Sequence, residues 1–382
     1  MIRTEAWVLY QAPPNEKGAG KLTQEDIHFP DIQEDEVLAE PLYGCWETNM
    51  THAINRDPVD ICKVRGEDKL ILGNAGVVRV IDKGRKVSQV REGDICVLAP
   101  FAEMDSYGYI RKIFGYDAPN TIGLLSKRTK LREHQLIPIP LTTKYSLATW
   151  ATTCVRYATA WDNWKIAFGC WNLQMAGAPP PCVCGWGGGV ALAELLLARE
   201  YGCSVFMIAS KPERLKQIQA LGITPVDRRE FPDINYDEHL FNTDAAYKRK
   251  YQDSERNFLI TMKEVTKGER VGIFIDNIGR PVIRATLKAL RRQGVVTTAG
   301  WLEGGHLSIN RIEECINRHI HVYTHGARDS EVVNMVRYVE ESSWLIPVTE
   351  AIWSWDSIPE LADRFSNGTI DSYFPVFSVN PI

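Results

Sequence analysis

Over the first hundred residues, short apolar runs alternate with turn residues: Trp7 to Tyr10, Glu36 to Ala39, Gly76 to Ile81 and Ile95 to Leu98. Runs of this length, bounded by glycine, proline and acidic turn residues, predict an all-β, barrel-like module. From Ala102 to about residue 140 the strand signal weakens into charged turns. Between Leu147 and Trp171, apolar and aromatic residues recur at helical spacing, with four tryptophans among them.

The rhythm changes after Pro181. Cys182 to Cys184 reads as a short buried strand, Gly185 to Gly189 as a glycine turn, and Val190 to Tyr201 as a helix. Ser204 to Ala209, Gly272 to Asp276 and Gly294 to Ala299 read as further strands, with helices at Pro212 to Leu221 and Pro281 to Gln293. Strands alternating with helices predict a doubly wound parallel sheet of the Rossmann type, so the fold class is α/β. Arg229 to Thr266, rich in charge and tyrosine, intrudes as an insertion. The tail from Ser330 carries an amphipathic helix, a turn at Trp353 to Trp355, a short helix near Pro359 to Phe365 and a last strand. His319 and His321 read as ordinary strand residues. The expected domains are 1–155 with 326–382, and 156–325.

Composition narrows the function classes. The 382 residues carry 44 Lys plus Arg against 48 Asp plus Glu, a net charge of −4, so no general basic field exists to hold nucleic acid. The most apolar stretch, Val190 to Ala198, is interrupted by Glu194 and is too short to span a bilayer, and Met1 to Pro14 lacks the apolar core of a signal peptide. Nine cysteines, an odd number with no CxxC spacing, point away from a disulfide framework or a clustered zinc site. A reducing, cytoplasmic location is expected.

The glycine turn carries the first chemical signal. Gly185, Gly187, Gly188, Gly189 and Val190 lie between a strand and a helix, where small residues let backbone N–H groups and the helix dipole approach a pyrophosphate. At the end of the next strand stand Ser210, Lys211 and Arg214. A hydroxyl and two cations suit a 2′-phosphate, which favours NADPH over NADH, although Glu213 could turn inward to a ribose instead.

The pattern Gly73-Asn74-Ala75 to Gly84 followed by Val90 to Asp94, placed ahead of the dinucleotide domain, resembles the medium-chain dehydrogenase/reductase superfamily. Within it, Gly185 with Gly188-Gly189-Val190, Val226 to Phe231, the insertion, and Tyr323 to Asp329 are most similar to the crotonyl-CoA carboxylase/reductase group of enoyl-thioester reductases. The resemblance implies a β-rich, GroES-like catalytic domain beside the Rossmann domain, and delivery of a hydride to the β-carbon of an α,β-unsaturated thioester. It places Thr159, Asn277 and Gly300 near the ribose or nicotinamide. The partner would be a small-molecule or thioester substrate, carried on coenzyme A or an acyl carrier protein, and a homo-oligomer, dimeric or tetrameric, is implied.

Carboxylating members hold carbon dioxide with an asparagine, a Phe-Glu pair and a histidine. Here Cys45 stands at the asparagine position and Tyr116 and Asp117 at the pair, and only the histidine is kept, as His325. Plain reduction is therefore expected, with His325 as donor to a carbonyl or enolate. Zinc-dependent relatives use a cysteine, the histidine of a Gly-His-Glu motif and a second cysteine. This chain offers Cys45, Asn74 and Cys154, and asparagine is a poor zinc ligand, so no metal is expected. Glu47, where those relatives hold a proton-relay hydroxyl, becomes a general-acid candidate. Trp46 and Trp301 are candidate walls of a substrate pocket, core packing being the alternative. The resulting expectation is an NADPH-dependent, zinc-independent reductase of an activated C=C bond. The alternatives are a quinone or alkenal reductase, an alcohol dehydrogenase with an altered metal site, and a catalytically silent nucleotide-binding or scaffold protein.

Overall fold

The computed structural model describes residues 1–13, 18–299, 309–324 and 326–380, so Gly300, Trp301 and His325 lie outside the described residues. Two compact units are distinguished: Met1–Ala158 with Ala327–Ile382, and Thr159–Gly326.

In the first unit, Leu136–Pro138, Ile95–Leu98, Gly76–Lys83, Glu36–Cys45 and Val376–Ser378 pair in that order in an antiparallel sheet, and Thr129–Arg132 adds to Glu36–Cys45. A smaller sheet joins Leu22–Phe29, Ile2–Tyr10 and Lys69–Ile71. The short strands Phe101–Met104 and Ile110–Ile113 form a hairpin in the stretch that reads as charged turns, because both are only half buried and carry no apolar run. Helices Thr48–Asn55 and Ile61–Arg65 interrupt the otherwise β-rich module. The tail is part of this core: Trp355, Ile358, Leu361 and Phe377 pack with Trp7, Val8 and Trp46, and the Trp7 indole donates to the Trp355 carbonyl at 3.1 Å.

The second unit is built on a parallel sheet in the order Thr224–Asp227, Ser204–Ala209, Cys182–Trp186, Val271–Ile275, Leu290–Thr298, His321–Thr324. Numbered within the unit this is 3-2-1-4-5-6, and the order reverses between Cys182–Trp186 and Val271–Ile275. The carboxyl ends of those two strands therefore flank the crevice in which doubly wound sheets bind ligands. Both central strands are buried along their whole length, which is why they read as continuous apolar runs.

Three local differences from the sequence reading have physical causes. The first strand continues through Gly185 to Trp186, since Gly185 pairs with Met207 and Ile275 on either side. The helix expected over Pro281 to Gln293 is shortened to Ile283–Ala289 because Leu290 already pairs with Val271. His319 lies outside the strand, in a turn with φ 55°, whereas His321 opens it.

The insertion holds helices Glu238–Thr243 and Ala245–Val265. The longer one supplies Phe258 and Met262 to the core of this unit, and Phe258 stacks on Trp186 with ring centroids 5.3 Å apart. The inserted helix thus buttresses the back of the glycine turn.

Candidate active-site elements

In the second unit, Gly187 donates its N–H to the Ile208 carbonyl at 3.1 Å. A Cβ on Gly187 would meet that carbonyl oxygen at 2.8 Å, so close strand-to-turn packing requires glycine here. Gly188 caps the helix Gly189–Glu200, with no side chain satisfying the first N–H groups, and a Cβ added to it would meet nothing within 4 Å. Free donors, a positive dipole end and open space are what a pyrophosphate needs, so the turn fits the cofactor implied by the fold.

Ser210 follows the strand Ser204–Ala209, Lys211 caps the helix Pro212–Ala220, and Arg214 lies in its first turn. The carboxylate of Glu213 is engaged along the helix by Lys216 at 2.9 Å. Thr159 is half-buried in the helix Ala158–Gln174. At the end of Val271–Ile275, Asn277 accepts from the Ala299 N–H at 2.9 Å while its buried amide nitrogen has no partner.

A hydrogen-bond chain ties these two loops together. The Trp186 indole donates to Thr286 at 2.7 Å, and the Thr286 hydroxyl donates to Asp276 at 2.7 Å. Asp276 also accepts from the N–H groups of Ile278 and Gly279. Burial raises the Asp276 carboxyl to about 6 despite these donors. Trp186 is consequently a core residue.

In the first unit, Cys45 ends the strand Glu36–Cys45, and Glu47 precedes the helix Thr48–Asn55. Glu47 is 4% exposed and pairs through Oε2 with Arg156 Nε at 3.2 Å, while its Oε1 is buried with no partner. The same guanidinium donates to the Cys45 sulfur at 3.4 Å, to the Tyr373 carbonyl at 2.8 Å and to the Trp46 carbonyl. Burial lifts the Glu47 carboxyl to about 7, with Arg156 and then the Cys45 thiol pulling the other way. Burial likewise pushes the Cys45 thiol far up. Cys154, in the π-helical turn Thr153–Tyr157, accepts from the Gly76 N–H and donates to the Gly76 carbonyl, both at 3.1 Å, and burial raises its thiol to about 12.

This donor set fits zinc poorly. Zinc is held by thiolate, imidazole or carboxylate ligands, whereas here a guanidinium already sits on Cys45 and Glu47, and the segment paired with Cys45 offers the amide of Asn74 instead of an imidazole. Among the described residues, no group of three His, Cys, Asp or Glu side chains could hold a metal.

Cys45 and Glu47 thus come together, joined by Arg156, which the sequence reading did not single out. Its signal was present, since it is the single charge between Lys144 and Asp162. Asp117 is used by its own turn, accepting from the Ile113 N–H at 2.6 Å, and Tyr116 is buried in the core. The Trp46 ring is fully buried, its indole donating to Thr51 at 2.9 Å, so it is a core ring and not an exposed pocket wall. A cavity of about 770 Å³ in the second unit, lined by Tyr236, His239, Arg280, Arg284 and Glu313, lies at the insertion.

The fold is shared with solved structures of oxidoreductases. Among solved structures, the crotonyl-CoA carboxylase/reductase AntE in complex with NADP is similar to this chain at TM-score 0.82 and 19% identity, covering 99% of this chain and 95% of that one. The 2-octenoyl-CoA carboxylase reductase CinF, in complex with NADP and 2-octenoyl-CoA, is similar at TM-score 0.79 and 17% identity, covering 99% and 88%. A thermostable alcohol dehydrogenase from Pyrobaculum aerophilum is similar at TM-score 0.71 and 14% identity, covering 99% and 100%. No family model and no curated protein matches the sequence. No helix among the described residues is long and apolar enough to cross a membrane.

Proposed function

We propose that the protein is an NADPH-dependent oxidoreductase that reduces an activated C=C bond, that of an enoyl thioester, without zinc. The observation that carries the cofactor assignment is the glycine turn: Gly187 is packed against Ile208 while Gly188 faces open space at an uncapped helix N-terminus. Lys211 and Arg214 follow at the end of the neighbouring strand, suited to a 2′-phosphate. Two structures of the same architecture are solved with NADP, one of them with an enoyl thioester, which supports this reading.

When bound, the nicotinamide supplies the hydride. The chain's own residues do the rest. The turn at Gly187 to Gly189 orients the pyrophosphate, and Asn277 offers its unpaired amide N–H to a polar group at the other side of the crevice. Arg156 holds Glu47 in one position, and the Glu47 carboxyl hands a proton to the α-carbon after the β-carbon is reduced. Arg156 occupies Cys45 and Glu47 with a fixed cation, which favours C=C reduction over metal-assisted carbonyl chemistry. The test is an NADPH-oxidation assay with a panel of enoyl thioesters, quinones, alkenals and carbonyls, combined with metal analysis. Turnover of the thioesters by metal-free protein is expected; stoichiometric zinc with carbonyl turnover would overturn the reading.

A further inference from the structure

Asn74 is completely buried, and neither its amide nitrogen nor its amide oxygen has a hydrogen-bond partner. A buried amide with no protein partner is expensive to keep unless a ligand satisfies it. The backbone that carries it is pinned on both sides. The Gly73 N–H donates to the Gly115 carbonyl at 3.0 Å, and the Gly73 carbonyl accepts from Leu124 at 2.9 Å. Gly73 has φ 117° with no room for a Cβ beside the Leu124 N–H, so this approach is closed to other residues. On the other side, the Ala75 carbonyl accepts from the Cys45 N–H at 3.0 Å, and Gly76 is bracketed by the Cys154 sulfur. The same pairing brings the Asn74 segment beside Cys45, two residues before Glu47, whose Oε1 is the other buried oxygen there without a partner.

We infer that the Asn74 amide is a substrate-contacting group that donates to the carbonyl oxygen of the activated alkene. This rests on the reductase reading above. When hydride adds to the β-carbon, the C=C π pair moves toward the carbonyl, and the negative charge collects on that oxygen as an enolate. The Asn74 N–H holds this charge until the α-carbon takes a proton and the C=O bond re-forms; the nicotinamide is oxidised and the alkene reduced. A preset donor of this kind is worth more to the developing oxyanion than to the neutral carbonyl. A buried polar group kept without a partner for the sake of a ligand also explains why a stability cost persists at this position.

The experiment compares wild type with Asn74→Ala and Asn74→Leu. Turnover of a crotonyl thioester with NADPH is expected to fall by about 10²- to 10³-fold in kcat, with the KM for NADPH unchanged. The thermal midpoint should stay level or rise, since an unsatisfied amide is removed; a structural asparagine would lower it. In isotope-edited infrared spectra, a saturated acyl thioester labelled at its carbonyl carbon should show a band displaced to lower frequency on wild type and restored in both variants. Variants that keep kcat within about threefold of wild type, the result expected if the amide holds only a water, would overturn the inference and leave the reductase reading standing. If wild type reduces no activated alkene, that reading falls instead. The infrared arm then decides alone: no displaced band on wild type, or one that persists in the variants, overturns the role of Asn74.

Discussion

Arg156 Nε lies 3.2 Å from Glu47 Oε2, with both side chains almost wholly out of water. The pair is a cation and a carboxyl locked together where a strand ends and a helix begins. The guanidinium fork spans Cys45, Trp46, Glu47 and Tyr373, so a single side chain fixes the end of a strand, the start of a helix and the returning tail.

Breaking that pair from one side strands a charge. Arg156→Met should destabilise the protein by about 3–5 kcal/mol in chemical denaturation. The double variant Arg156→Met, Glu47→Leu should recover part of the loss, because no unpaired carboxyl remains, although the Trp46 and Tyr373 carbonyls still lack their donor. A double variant as unstable as the sum of the two single changes would contradict the coupling.

The two glycines of the turn should separate folding from binding. Gly187→Ala forces a methyl group against the Ile208 carbonyl and should cost about 1–3 kcal/mol of stability. Gly188→Ala meets open space and should fold normally while weakening NADPH, whose pyrophosphate needs that space. Paired thermal melts and fluorescence titrations would show whether the two effects divide in this way.

Coenzyme preference is expected to rest on Lys211 and Arg214. Replacing both with alanine should weaken NADPH by roughly 10- to 100-fold per lost charge-assisted contact and leave NADH nearly unchanged. Equal affinities for the two coenzymes in wild type would remove the 2′-phosphate assignment.

Glu194, in the helix that follows the glycine turn, is fully buried; burial raises its pKa well above 4.5, with the Asn163 side chain alongside opposing only in part. The folded protein therefore holds a proton that the unfolded chain releases above about pH 4.5. This contribution is complete below the unfolded value and is lost as the pH rises toward the folded one, at about 1.4 kcal/mol per pH unit. Glu194→Gln should remove that slope. Its advantage over wild type should widen from pH 5 to pH 8 in denaturant melts; a constant gap would refute the buried proton.

Much of the fold was legible because its strands are continuous apolar runs, as at Cys182–Trp186 and Val271–Ile275, or end at glycine. The helix Ala245–Val265 was hidden by its own charge, for its buried face is carried by Tyr251, Phe258 and Met262 among exposed ionic residues. The glycine turn was legible as a turn for a similar reason: it is local, and its spacing states its geometry. Arg156 was not, because its partners lie 110 residues upstream at Trp46 and 217 downstream at Tyr373, and only folding brings them together. Asn74 could be read as a missing imidazole, but its lack of any partner is a property of packing alone.

The chain from Trp186 through Thr286 to Asp276 has a consequence for how this sequence can drift. Losing any one of the three leaves a buried donor or acceptor with nothing to satisfy it, so single substitutions are penalised whichever comes first. Phe258, stacked on Trp186, adds the inserted helix to the same bargain. These four positions are expected to change as a set or not at all, and a swap of the glycine turn from another protein would have to carry all of them with it.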